Sequence, residues 1–175
     1  MAAARRIVVD ASVARSAGHN PVPGFVSSPC RAVLDAVLEA RHWIALDEEG
    51  LREWKKHSSR YARGWLVRMF ARRLALLLGD VRDEQLRDRI RSGAAKPSDW
   101  KALEKDCHLI ETALKADRIV VSRDEVVRRL FKEASSRVSE LEHVLWANPE
   151  IEDEGAVEWV RAGAKLERAR RLAAD

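Results

Sequence analysis

The chain is predicted to fold as a three-layer α/β/α domain around a central, mainly parallel sheet. Short apolar runs, RIVV at 6–9, WIAL at 43–46 and RIVVS at 118–122, alternate with stretches of helical period. They are apolar throughout rather than every second residue, which suits strands buried on both faces. The 175 residues fit one domain, 1–175, with a sizeable core.

Each element has its own signal. The first strand spans Arg6 to Val9 and ends at Asp10, and the Gly/Pro-rich SAGHNPVPG that follows reads as a loop. Ser28 as cap and Pro29 in the first helical position start a helix whose apolar stripe is Val33, Leu34, Val37 and Leu38. A strand at Trp43 to Leu46 leads to Asp47, a cap for a helix reaching about His57. Residues 60–78 read as one long amphipathic helix carrying Tyr61, Trp65 and Met69 on one arc. A charged helix is expected at 81–91, closed by Ser92 and Gly93, and the region 74–96 reads as a helical insertion. Pro97 and Ser98 open a helix that keeps its period to about Lys115. The strand RIVVS, a helix from about Glu125 to Ala134 and a strand around His143 to Trp146 complete the core. Asn148 and Pro149 stop that strand, and 149–175 reads as a helical extension with a last helix from Gly155 to Leu172.

Composition narrows the function classes. Hydrophobic residues at 46% and charged residues at 34% describe a globular chain, neither a disordered polar tract nor a membrane protein. No apolar run approaches the roughly 20 residues of a membrane helix, and the N-terminal MAAARRIVVD lacks a signal-peptide stretch. Cys30 and Cys107 have no metal-ligand spacing, so a reducing cytoplasm is the expected home. The five histidines form no pair at metal-ligand spacing, and His108 would lie about 200° around a continuous helix from Asp106. There is no GxxxxGK[ST] loop, no GxGxxG and no DxD after the first strand.

Acids mark the candidate site. IVVDAS and IVVSRD each set a serine and an aspartate at a strand end, Asp10 with Ser12 and Ser122 with Asp124. In open parallel sheets the crevice beyond the strand C-termini is where ligands bind. On a continuous helix Asp106 falls within the apolar stripe of Leu103, Ile110, Ala113 and Leu114, and a carboxylate pointing inward needs a cation or donors to compensate it. The other reading of Asp106 is a break near Glu104, with the aspartate capping a second helix at the sheet end.

KDCHLIETALKADRIVVSRDE, together with RIVVDASV, resembles the PIN domain, a family of metal-dependent nucleases that includes the VapC-like toxins. The likeness spans about residues 6–131. It implies four acids in catalytic and metal-binding roles, which fall on Asp10, Glu53 in GLREWKKH, Asp106 and Asp124. It further implies Mg²⁺ or Mn²⁺ as cofactor and hydrolysis of RNA phosphodiesters to 5′-phosphate and 3′-hydroxyl ends. Hard divalent cations take carboxylate oxygens, and such an ion activates water for in-line attack. Ser12 and Ser122 would support these acids through hydrogen bonds. The resemblance also implies, for a toxin, a protein inhibitor (antitoxin) as partner. Compact VapC-like toxins lack the 74–96 and 149–175 stretches, and the latter could pack on the sheet, pair with a second copy as a homodimer, or meet an inhibitor.

Charge is unevenly spread. Residues 52–73 hold eight basic residues against one acid, a net +7, while 24 basic and 27 acidic residues elsewhere leave −3. Lys56, Arg60, Arg63 and Arg68 are the candidate nucleic-acid contacts, and Tyr61 and Trp65, on the apolar arc, are assigned to core packing. The expected function is therefore a metal-dependent endoribonuclease, with DNA left open as substrate. The alternative is a PIN-like RNA-binding or regulatory protein that cuts little or nothing.

Overall fold

The structure, a computed structural model, describes residues 3–18 and 28–173. Five strands, β1 (Arg6–Val9), β2 (Trp43–Leu46), β3 (Ala75–Leu77), β4 (Ile119–Val121) and β5 (Leu145–Ala147), form one all-parallel sheet in the order β3-β2-β1-β4-β5. Register is fixed at its centre by Ile7 opposite Ile119, Val8 opposite Val120 and Val9 opposite Val121. Chain order reverses between β1 and β4, which makes their C-terminal ends the switch point where such sheets bind ligands.

Helices cover both faces, as the uniformly apolar strands require. One layer holds α1 (Ala11–Ser16), α2 (Pro29–Glu39), α3 (Glu48–His57) and α4 (Arg60–Ala71). The other holds α5 (Glu84–Gly93), α6 (Pro97–Glu104), α7 (Cys107–Lys115), α8 (Glu125–Ser135) and the short α9 (Ser139–Glu142). The last helix, α10 (Ala156–Arg161), returns to the first layer and packs on α2. Ile7, Val9, Ile44, Leu46, Ile119 and Val121 face the first layer, while Val8, Ala45, Val120 and Trp146 face the second. In the first core Trp54 stacks on Trp65 with ring centroids 5.6 Å apart, and their indole N–H groups donate to the Val9 and Leu34 carbonyls at 2.7 Å each. Each indole thus contributes buried area without an orphaned donor. Among the described residues no helix is long and apolar enough to cross a membrane.

The capping signals hold. The Ser28 side chain accepts from the Arg31 N–H, Asp47 from Gly50 and Asp124 from Val127. Four expectations need correction. The helix read over 60–78 ends at Ala71: Arg73 takes a left-handed φ of 56°, Leu74 N–H closes on the Met69 carbonyl, and LALLL continues as the edge strand β3. The 74–96 region is therefore not a purely helical insertion, because it supplies one strand of the sheet. The helix read over 97–115 breaks at Lys105-Asp106 into α6 and α7, so the second of the two readings of Asp106 describes the backbone. The C-terminal helix stops at Arg161, where Gly163 (φ 100°) and Ala164 (φ 46°) turn the chain.

After that turn the tail crosses the sheet edge. Arg171 forms an antiparallel bridge with Leu145, Leu172 N–H donates to the Val144 carbonyl at 2.9 Å, and the Leu172 side chain enters the second core. The strand expected around 143–146 lies at Leu145–Ala147, and α1 carries no signal that distinguished it from the loop. Part of SAGHNPVPG lies outside the described residues.

Candidate metal centre

Asp10 directly follows β1, and its N–H donates to the Val121 carbonyl at 3.0 Å, which holds it against β4. Its Oδ2 accepts two hydroxyls, Ser12 Oγ at 2.5 Å and Ser122 Oγ at 2.7 Å. Ser122 is fully buried, and its hydroxyl oxygen also accepts from the Asp124 N–H at 3.1 Å. One oxygen of Asp10 is thus committed to fixed donors, and its carboxylate is oriented by both strand-end segments. Asp124 caps α8 through Oδ1, 2.9 Å from the Val127 N–H. Capping and site membership coexist, because the cap uses one carboxylate oxygen and leaves the other.

Asp106 lies within the electrostatic reach of Asp10 and Asp124. It occupies the junction between α6 and α7, and its side chain makes no capping bond. Oδ2 is buried without a hydrogen-bond partner, and the nearest cation, Lys105 Nζ, is 3.7 Å away on an exposed side chain. Burial pushes the Asp106 carboxyl up to about 6; Lys105 opposes the rise, and the nearby charges of Asp10 and Asp124 add to it. A buried carboxyl in the field of other negative charges is pushed toward its neutral form in this way.

Glu53 stands apart. It is half-buried on α3, and its charge acts on His108. His108, set aside in the sequence for its angle on a continuous helix, is moved by the break before α7. It is buried, with Nδ1 3.2 Å from Asp47 Oδ1 and Nε2 lacking a partner. Burial alone would lower its pKa, but the hydrogen bond and charge of Asp47 outweigh that and raise it, helped by Glu53 and Asp106. Asp47 is in turn held below the usual carboxylate range in spite of burial, by His108 and by the Gly50 N–H. A Cβ at Gly50 would come within 2.8 Å of Asp47 Oδ1 and displace that carboxylate oxygen. The sequence signal was present: Asp47 follows β2 as Asp10 follows β1. Beside this pair a cleft of about 180 Å³ is lined by Asp47, Asp80, Arg87, His108 and Glu111. There Arg87 and the buried Glu111 form a two-pronged ion pair at 2.7 and 2.8 Å that ties α5 to α7.

No family model, curated protein or solved structure matches this chain. The donor set is what bears on a metal. Asp10, Asp106 and Asp124 offer hard oxygens suited to Mg²⁺ or Mn²⁺, and the buried Asp106 Oδ2 has no hydrogen-bond partner, only the exposed Lys105 ammonium at 3.7 Å. Among the described residues no group of three or more His, Cys, Asp or Glu side chains is already placed to hold an ion.

The basic residues lie on α3 and α4. Lys56, Arg60, Arg63 and Arg68 are exposed, and none pairs with a carboxylate among the described residues. Arg63 donates to the Ser58 carbonyl at 3.0 Å and Arg68 to the Tyr61 hydroxyl at 3.2 Å. Tyr61 and Trp65 are buried, as their apolar arc predicted.

Proposed function

We propose that the chain is a metal-dependent endoribonuclease of the PIN type, acting through Mg²⁺ or Mn²⁺ held by Asp10, Glu53, Asp106 and Asp124. The observation that carries this reading is Asp106: a buried carboxylate with an oxygen that accepts no hydrogen bond and has only an exposed lysine for a cation, in the field of the two strand-end carboxylates. Such an arrangement is costly unless a cation compensates it.

When bound, the ion supplies an activated water and offsets charge on the phosphodiester. Ser12 and Ser122 fix one oxygen of Asp10 and leave the other for the ion. Asp124 spends one oxygen on α8 and keeps one for the ion. Glu53, on α3, is the fourth acid of the set, and its charge reaches His108 as that of Asp106 does. Lys56, Arg60, Arg63 and Arg68 guide the phosphate backbone toward these acids, because unpaired surface cations near an acidic site offset its repulsion of the strand. A toxin role with an antitoxin partner, and a homodimer, belong to the same proposal.

The test is cleavage of a mixed RNA pool with Mn²⁺, with EDTA, and with Asp106→Asn. Cleavage by the wild type with Mn²⁺ alone is expected; activity surviving both EDTA and the substitution overturns the mechanism. A single-stranded DNA pool in the same assay decides the substrate.

A further inference from the structure

At the end of the sheet opposite the aspartates, beneath the N-terminal ends of β1, β4 and β5, a cavity of about 360 Å³ opens between Arg5, Arg118 and Arg171. His143 stands on its rim, and Leu114, Leu145 and Leu166 form an apolar wall. Leu166 is 63% exposed there. The lining includes one carboxylate, Asp117, and it is already taken: Arg6 donates to it from its backbone N–H at 2.7 Å and from its guanidinium at 2.6 and 3.1 Å. Arg5, Arg118 and Arg171 have no carboxylate partner among the described residues, and Arg5 Nε is buried without a hydrogen-bond partner.

The backbones that carry these arginines are fixed. Arg118 takes a left-handed φ of 58°, its N–H donates to the Ala113 carbonyl at 2.9 Å, and its carbonyl accepts from Leu145 at 2.7 Å. Arg171 bridges Leu145, while Arg5 donates its N–H to His42 Nδ1 at 2.9 Å and accepts from the Trp43 N–H at 2.7 Å. The C-terminus of α7 also points here, but the Ala113 carbonyl is occupied by the Ala116 and Arg118 N–H groups, so it does not repel an anion unshielded.

We propose that this cavity binds a phosphate monoester with an apolar body, of the size of a nucleoside monophosphate. Three guanidiniums without an ion pair, beside one carboxylate already held by Arg6, leave positive charge over, and a phosphate dianion accepts several paired N–H bonds at once. The leucines provide the contact surface that a bare phosphate would not use, and the volume lies at the lower end of the roughly 300–1,000 Å³ of small-molecule sites. The site lies at the other end of the sheet from the carboxylates and stands whether or not the chain is a nuclease.

Isothermal titration of the full chain with adenosine 5′-monophosphate, in EDTA, tests it, with adenosine and inorganic phosphate as comparators. A dissociation constant below about 1 mM is expected, with adenosine silent and inorganic phosphate weaker than the nucleotide. Arg118→Gln with Arg171→Gln should weaken nucleotide binding by at least about tenfold, as loss of charge-assisted bonds does, and leave RNA cleavage unchanged. Leu166→Glu, a single change at an exposed position, should weaken it as well. Absence of binding, inorganic phosphate binding as tightly as the nucleotide, or affinity that survives both variants overturns the proposal. So does affinity that survives them but is lost in Asp106→Asn, which would put the nucleotide at the carboxylates.

Discussion

Ser122 Oγ donates to Asp10 Oδ2 at 2.7 Å, joining residues 112 positions apart in the chain across the seam between β4 and β1. Because the same hydroxyl oxygen accepts from the Asp124 N–H, Ser122 couples two of the three aspartates. Ser122→Ala should cost about 1–3 kcal/mol of stability, as a buried acceptor loses a donor, and lower cleavage, with Ser122→Thr retaining part of it where the hydroxyl can still reach. Urea unfolding and a cleavage time course on the same preparations check both. Unchanged cleavage in Ser122→Ala would mean that Ser12 alone orients Asp10.

Asp106 should make the metal-free chain less stable at neutral pH. Its folded pKa, raised to about 6 by burial, lies above the ordinary 3.8. Between these values the folded state binds more protons than the unfolded one, so stability falls as pH rises through this window. Asp106→Asn should therefore raise unfolding stability at pH 7 by at most about 3 kcal/mol, and by little below pH 4, while cleavage is lost. Thermal unfolding in EDTA at the two pH values reads this directly; equal effects at both would place the cause elsewhere. Adding Mg²⁺ should stabilise the wild type more than the variant.

The Arg87–Glu111 pair holds α5 against α7, with side-chain exposures of 10% and 1%. Glu111 Oε1 also accepts from the Asp83 N–H at 2.9 Å, at the start of α5. Arg87→Met leaves a buried carboxylate without its cation and should destabilise by about 3–5 kcal/mol. Adding Glu111→Leu should recover most of that loss. A urea double-mutant cycle measures the coupling, and additive single effects would show that the pair is not a unit.

Arg60→Glu with Arg63→Glu should weaken RNA binding and flatten its dependence on salt, since each lost phosphate contact reduces the counterions released. Filter binding at two salt concentrations decides it. Unchanged affinity would leave this helix face merely solvated. Stability should change little, because both side chains are exposed.

The sequence by itself determined the central strands, the layers and the strand-end acids. The runs at 6–9, 43–46 and 118–122 could be buried only on both faces, and Ser28, Asp47 and Asp124 announced their helices through short-range bonds. These are local properties, so a local reading finds them. Tertiary structure decided the rest. LALLL at 74–78 has no strand-specific pattern, and it becomes β3 because β2 offers an open edge. The break before Asp106 follows from helices α6 and α7 packing separately, and it both places that carboxylate near Asp10 and Asp124 and turns His108 onto Asp47. The basic cavity joins Arg5 and Arg118, which meet because β1 and β4 begin side by side, with Arg171, which the tail brings in through its bridge to Leu145. Distant residues converge through sheet order, and no spacing along a single chain encodes that order directly.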